Sequence, residues 1–185
     1  MALEFASEDL QNDSDVVVTA CMQEGSALQF ASEELRRKTE LLIELAARHA
    51  ECLQWANQDL LFSKRFWVQV VKRDGRALRY APAIFRKDKD VAIFALRKYG
   101  MMLSCLAPEL RDDERVVKAA VAQQGLALQF ASMRLRRKKE IVMEAVLQNA
   151  VSLRYAAPEY RMDPEAMAAK GFAEEKLKKP AAPAM

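Results

Sequence analysis

The sequence predicts an all-α protein, an α-solenoid of about seven helical-hairpin layers with a repeat of 25 residues. Three observations predict it. The hexamer ALQFAS stands at residues 27–32 and again at 127–132, which is four repeats later. A step of 25 puts Leu3, Leu28, Leu53, Leu78, Leu103, Leu128 and Leu153 in one column without a gap. Of the five glycines, four share a phase: Gly25, Gly75, Gly100 and Gly125. A second column, two residues beyond the leucines, reads Phe5, Phe30, Trp55, Tyr80, Cys105, Phe130 and Tyr155. No stretch alternates with period two, so no strand is expected.

Each layer opens with a long helix. Asp13, Asp88, Asp113 and Asp163 stand before an apolar run, where a short acceptor side chain caps free N–H groups. Two residues on, Asp15, Glu40, Asp90, Glu140 and Glu165 suit the positive end of the helix dipole. Apolar residues follow at helical spacing, as in Val116, Val117, Ala120 and Val121. The stripe lasts about three turns. The glycine column then marks its end, the place where a residue with positive φ commonly stops a helix.

A shorter helix follows, carrying Leu-x-aromatic-Ala. Leu28 and Phe30 point to nearly opposite sides of such a helix, so both are buried only if it is flanked by two layers. That reading assigns the aromatics to the core. Ser32 and Ser132 are placed to start a final turn ending at Leu35 and Leu135. The array is expected to span residues 1–171 as one elongated domain, right-handed as in common helical repeats. Its last long helix is weak, from Pro164 to about Lys170. Residues 172–185, ending in KKPAAPAM, read as a disordered tail.

At 51% hydrophobic and 30% charged, the composition is that of an ordinary soluble chain. No apolar run approaches the ~20 residues of a membrane span. The three cysteines, Cys21, Cys52 and Cys105, are odd in number and far apart, which points to reduced thiols and an intracellular, reducing compartment. Cys21 and Cys105 fall in apolar columns and read as core residues. Residues 1–35 hold eight acids and no Lys or Arg, which excludes a typical secretory or transit peptide. The rest carries 29 basic and 18 acidic residues. In a stacked array sequence order becomes spatial order, so one end is acidic and the remainder basic. The first layer lacks a long helix before it, which leaves self-association through this end open.

The stretch Asp113–Arg136, DERVVKAAVAQQGLALQFASMRLR, is similar to the short helical repeats grouped as domain of unknown function 4116. The likeness covers the chain to about residue 170. That family occurs mostly in algae, other protists, their large viruses and some intracellular bacteria. The resemblance implies an all-helical repeat and no particular activity. The chain departs from the pattern in its third layer and at Leu103-Ser104-Cys105-Leu106, where the aromatic is lost.

Catalysis finds little support. The lone His49 sits near a helix end, and no HExxH, phosphate loop, CxxC or nucleophile elbow is present. No metal and no cofactor is expected. Two surfaces are candidates for binding. The first is an Arg column, Arg36, Arg86, Arg111, Arg136 and Arg161, thickened by Arg37 and Arg137. It is either a set of stems packed on the core with heads on carbonyl ends, or an anion-binding ladder for an acidic protein or for nucleic-acid phosphates. The second is DLLFSKRFW, residues 59–67, where Leu61 and Phe62 replace Arg36/Arg37 and Arg136/Arg137 of other layers. An exposed apolar spot there marks a protein contact, and the alternative is local repacking that buries Phe62. The function expected is a protein–protein scaffold or accessory subunit of a larger assembly, contacting its partner through Leu61, Phe62, Arg86, Arg111 and Arg136. The alternative is binding of nucleic acid or another polyanion through Arg36, Arg37, Arg136, Arg137 and Arg161.

Overall fold

The computed structural model describes residues 2–178, which form helices and tight turns with no strand among them. A full layer has the three segments that the sequence predicts, but the middle one is a 3₁₀ helix. In the best-preserved copy they are a long α-helix, Glu114–Gln123, a 3₁₀ helix, Gly125–Phe130, and one α-turn, Met133–Arg136. The same order recurs from Ser14 to Arg161.

The long helix begins where its cap predicts. The Val116 N–H donates to Asp113 Oδ1 at 3.0 Å, and the N–H groups of Asp15 and Val16 donate to Asp13. Val116, Val117, Ala120 and Val121 are fully buried, so the apolar stripe faces the neighbouring layers. At Gln124 the backbone becomes extended (φ −150°), and the helix ends.

The glycine column has a different cause from the one expected. No described residue, glycine or otherwise, has positive φ. A methyl group on Gly125 would run into the carbonyl oxygen of Ala145 in the next long helix, and one on Gly100 into that of Ala120. Glycine is there to let adjacent layers touch. The gap is stitched by side chains: Gly100 N–H donates to Gln123 Oε1 (2.8 Å), and Gly125 N–H donates to Gln148 Oε1. At Gly25 the nearest obstacle is only the flexible Glu51 side chain, 3.0 Å away, and Gly171 faces open space inside a helix. Gly125→Ala is therefore expected to destabilise by about 1–3 kcal/mol, Gly25→Ala by less, and Gly171→Ala to stabilise by up to about 1 kcal/mol. Denaturant midpoints of the three variants check the order.

The Leu-x-aromatic-Ala segment is a 3₁₀ helix, whose residues eclipse every third position. Gly125, Leu128 and Ala131 consequently lie on one buried edge, and all seven column leucines are buried. The aromatic two residues on turns off that edge. Phe30, Trp55, Phe130 and Tyr155 are half-buried, while Phe5 and Tyr80 are exposed. The expectation of a fully buried aromatic column is corrected on this point. At Cys105 the thiol is half-buried too, so it is no core residue, while Leu106 fills the interior where other layers have Ala. Cys21 and Cys52 are buried, and burial pushes their thiols up to about 11 and about 12.

The predicted final turns form. Leu35 N–H and Leu135 N–H donate to the hydroxyls of Ser32 and Ser132, each at 3.2 Å. The cap residue also joins layers through its backbone. The N–H of Ser32, Asn57, Ser132 and Ala157 donates to the carbonyl of Gln11, Arg36, Arg111 and Arg136 respectively.

The chain divides into two compact units, Met1–Ala95 and Leu96–Met185, although the repeat period runs through the division without insertion. In the first unit, long helix Ser14–Gln23 packs on Thr39–Ala46, which packs on Lys64–Arg73. In the second, Glu114–Gln123 packs on Lys139–Gln148, and that on the last helix. Contact runs from layer to layer in series, the habit of repeat arrays. The last helix extends from Pro164 to Lys178, well past the end expected near Lys170. Gly171 lies inside this helix, and a methyl group there would meet nothing within 4 Å. The rest of the segment read as a tail, residues 179–185, lies outside the described residues. No helix among the described residues is long and apolar enough to cross a membrane.

Candidate interaction surface

The Arg column is half lodged in the fold. Arg36, Arg86, Arg111 and Arg136 are half-buried, and only Arg161 is exposed. The Nε–H of Arg136 donates to the carbonyl of Tyr155 in the next layer. The Nε atoms of Arg36, Arg86 and Arg111 are buried without a hydrogen-bond partner. The stems thus lie along the layer, with the guanidinium tips towards solvent. Two of the thickening residues are partly neutralised: Arg37 pairs with Glu33 (2.7 Å) and Arg137 with Glu159 (3.6 Å). Leu61, Phe62, Arg36, Arg37 and Arg86 belong to the first unit; Arg111, Arg136, Arg137 and Arg161 belong to the second.

Phe62 is 67% exposed and Leu61 half-buried. Trp67, by contrast, is fully buried, and its indole N–H donates to the Leu61 carbonyl at 2.8 Å. That bond has a local reason. The carbonyls of Gln11, Arg36, Arg111 and Arg136 at this position accept from the cap N–H of the following layer, but here the cap is Pro82, which has none. Trp67 supplies the missing donor.

The spacing of ion pairs between layers exposes a residue that reading by column alone missed. Asp112 is bound by Arg134 (3.1 Å), and Arg137 pairs with Glu159 at the same separation of 22 positions. The equivalent pair in the preceding part of the repeat is Phe62 and Ile84, and Ile84 is 61% exposed. Its column otherwise reads Asp9, Glu34, Asp59, Glu109, Arg134 and Glu159, which is the signal that could have found it. Phe62 and Ile84 are therefore two exposed apolar side chains on positions that carry ion pairs at Asp112–Arg134 and Arg137–Glu159. Asp112 shows what those positions normally do: the Ser132 hydroxyl and the Arg134 guanidinium hold its carboxyl below the usual carboxylate range. Tyr80, 42% exposed, lies in the same unit, and Arg79 and Lys87 are exposed there too.

Elsewhere the candidates are plain. His49 is half-buried at the start of a 3₁₀ helix, with Nδ1 3.2 Å from Glu51. Among the described residues no group of His, Cys, Asp or Glu could hold a metal ion.

No curated protein and no solved structure matches the chain. A family model does match, over residues 1–36, 63–111 and 113–161, and its description is a domain of unknown function, DUF4116. The longest unmatched stretch between these segments ends at Phe62, in the layer where the ion pair gives way to apolar residues. Since the matched segments make up most of the sequence, the chain belongs to the DUF4116 family.

Proposed function

We propose that the chain is a protein–protein interaction module, a scaffold or accessory subunit of a larger assembly rather than an enzyme. It engages its partner through Phe62 and Ile84, flanked by Leu61 and the Arg86 guanidinium. The second unit carries its own half-buried guanidiniums at Arg111 and Arg136, which by themselves suit an acidic partner. The observation that carries this is the replacement of an exposed ion-pair position by two exposed apolar side chains. A large apolar residue left in water forgoes about 1.5–3 kcal/mol of burial, and nothing in the layer itself requires it. The buried thiols Cys21 and Cys52 suit a reducing, intracellular setting.

Affinity purification from the native source with wild-type chain and Phe62→Asp/Ile84→Asp as baits tests the site. Both positions are on the surface, so the variant should melt at the wild-type temperature. A specific partner retained by the wild type and depleted at least about tenfold by the variant is the expected result, one apolar contact being worth about 1.4 kcal/mol or more. Identical partner sets from the two folded baits would remove the site.

One observation favours polyanion binding as a second reading. Trp55 and Arg36 line a common cavity of about 270 Å³, so aromatic and cationic groups are neighbours at the surface and not separated as the buried-aromatic expectation held. Heparin retention with a steep salt dependence supports that reading. Absence of any mobility shift with RNA or DNA at low salt ends it.

A further inference from the structure

We infer that copies of the chain associate head to tail, the first layer of one seating on the last layer of another. This is independent of the Phe62–Ile84 surface. The first layer carries an apolar groove of about 620 Å³, lined among others by Leu3, Ala6, Leu10, Val16 and Ala20. One repeat later the same columns are Leu28, Ala31, Leu35, Leu41 and Leu45, all buried beneath the preceding layer. The groove is therefore the mould of a layer of this repeat. What fits it is a helical layer with small apolar side chains at that register.

The last layer offers the complementary half. Met167 is 44% exposed and Gly171 is exposed, whereas Val142 and Val146, one repeat earlier, are fully buried. A second groove, of about 460 Å³, is lined by Val151, Leu153, Arg154, Arg161, Met167 and Lys170, with Glu174 its one acid. The two ends expose different columns. Val16 is partly exposed in the first layer, but its counterpart Ala166 is buried in the last; Val17 is buried in the first, but its counterpart Met167 is exposed. Opposite halves of one interface make a heterologous contact, not a two-fold one.

Charge selects the same pairing. Glu4, Glu8, Asp9, Asp13 and Asp15 surround the first-layer face, and no Lys or Arg precedes Arg36. Two such faces repel each other, while Arg154, Arg161 and Lys170 attract one. The register even names a bond. Arg136 donates to the carbonyl of Tyr155 in the layer after it. Continued into a second copy, the same step brings Arg161 to the carbonyl of Phe5, on a 3₁₀ turn that is exposed.

Sedimentation velocity of the 185-residue chain tests this, with a head-blocked variant, Leu10→Glu, and a tail-blocked variant, Met167→Glu. Both residues are exposed, and circular dichroism melts confirm folding. Wild type should form larger species as concentration rises. Each variant alone should stay monomeric, and the equimolar mixture should form a dimer and nothing larger. A wild type monomeric at every concentration overturns the inference, as does a mixture that stays monomeric or a single variant that assembles like wild type. Should Met167→Glu not fold, Arg161→Glu blocks the same face at an exposed residue.

Discussion

Leu128→Ala is expected to lower the unfolding free energy by about 2–5 kcal/mol. The side chain is fully buried on the 3₁₀ helix Gly125–Phe130, which packs against the 3₁₀ helices before and after it and against both adjoining long helices. Truncation leaves a cavity shared by three layers, with few ways to collapse, because the backbones are already in contact at Gly125. Chemical denaturation gives the magnitude. Hydrogen exchange locates it: protection should fall in Gly100–Cys105 and Ala150–Tyr155 as well as in the mutated layer, since each interface belongs to two layers. Phe130→Ala removes a larger but half-buried side chain and should cost less. A loss under about 1 kcal/mol for Leu128→Ala, or a greater loss for Phe130→Ala, would show that the leucine column is not the core.

Trp67→Ala is expected to cost about 3–5 kcal/mol, and Trp67→Phe about 1–3 kcal/mol through the unpaired carbonyl of Leu61. The ring packs edge-on against Phe66, with centroids 5.7 Å apart, and tilted against Phe85 at 6.3 Å. Trp67→Phe keeps much of that packing and removes the indole N–H. The decisive experiment adds Pro82→Ala. A backbone N–H restored at residue 82 can donate to Leu61 as Asn57 donates to Arg36, so the second change should recover part of what the first lost. A coupling energy of about 0.5–3 kcal/mol in the double-mutant cycle is expected. Strict additivity would mean that the two donors do not serve the same carbonyl.

Legibility followed the kind of constraint involved. Asp13 and Asp113 cap helices because capping is local, decided within three residues, and the structure shows those bonds. The leucine column could be read because a strict period keeps one residue type at one depth in every layer. The glycine column is legible in the sequence, but its cause is not. A glycine needed for positive φ and one needed for contact look alike in a sequence, and only the Ala145 carbonyl opposite Gly125 tells them apart. The depth of the aromatic column is not legible, because a pattern of Leu-x-aromatic-Ala does not distinguish an α-helix from a 3₁₀ helix, whose tighter winding turns the aromatic off the buried edge.

The candidate site divides in the same way. Phe62 and Ile84 each stand in a column that is mostly polar, but that the two columns belong together is shown only by the Asp112–Arg134 pair, which links them across neighbouring layers. By itself the sequence determined the repeat, the helical class, the caps and the buried leucines, all of which depend on spacing along one chain. The tertiary structure alone decided which positions meet across layers: the glycine contacts, the lodged Arg stems, the Trp67–Leu61 bond and the Asp112–Arg134 pair. The physical reason is that a period specifies what recurs, while contact between layers depends on an offset that no single column records.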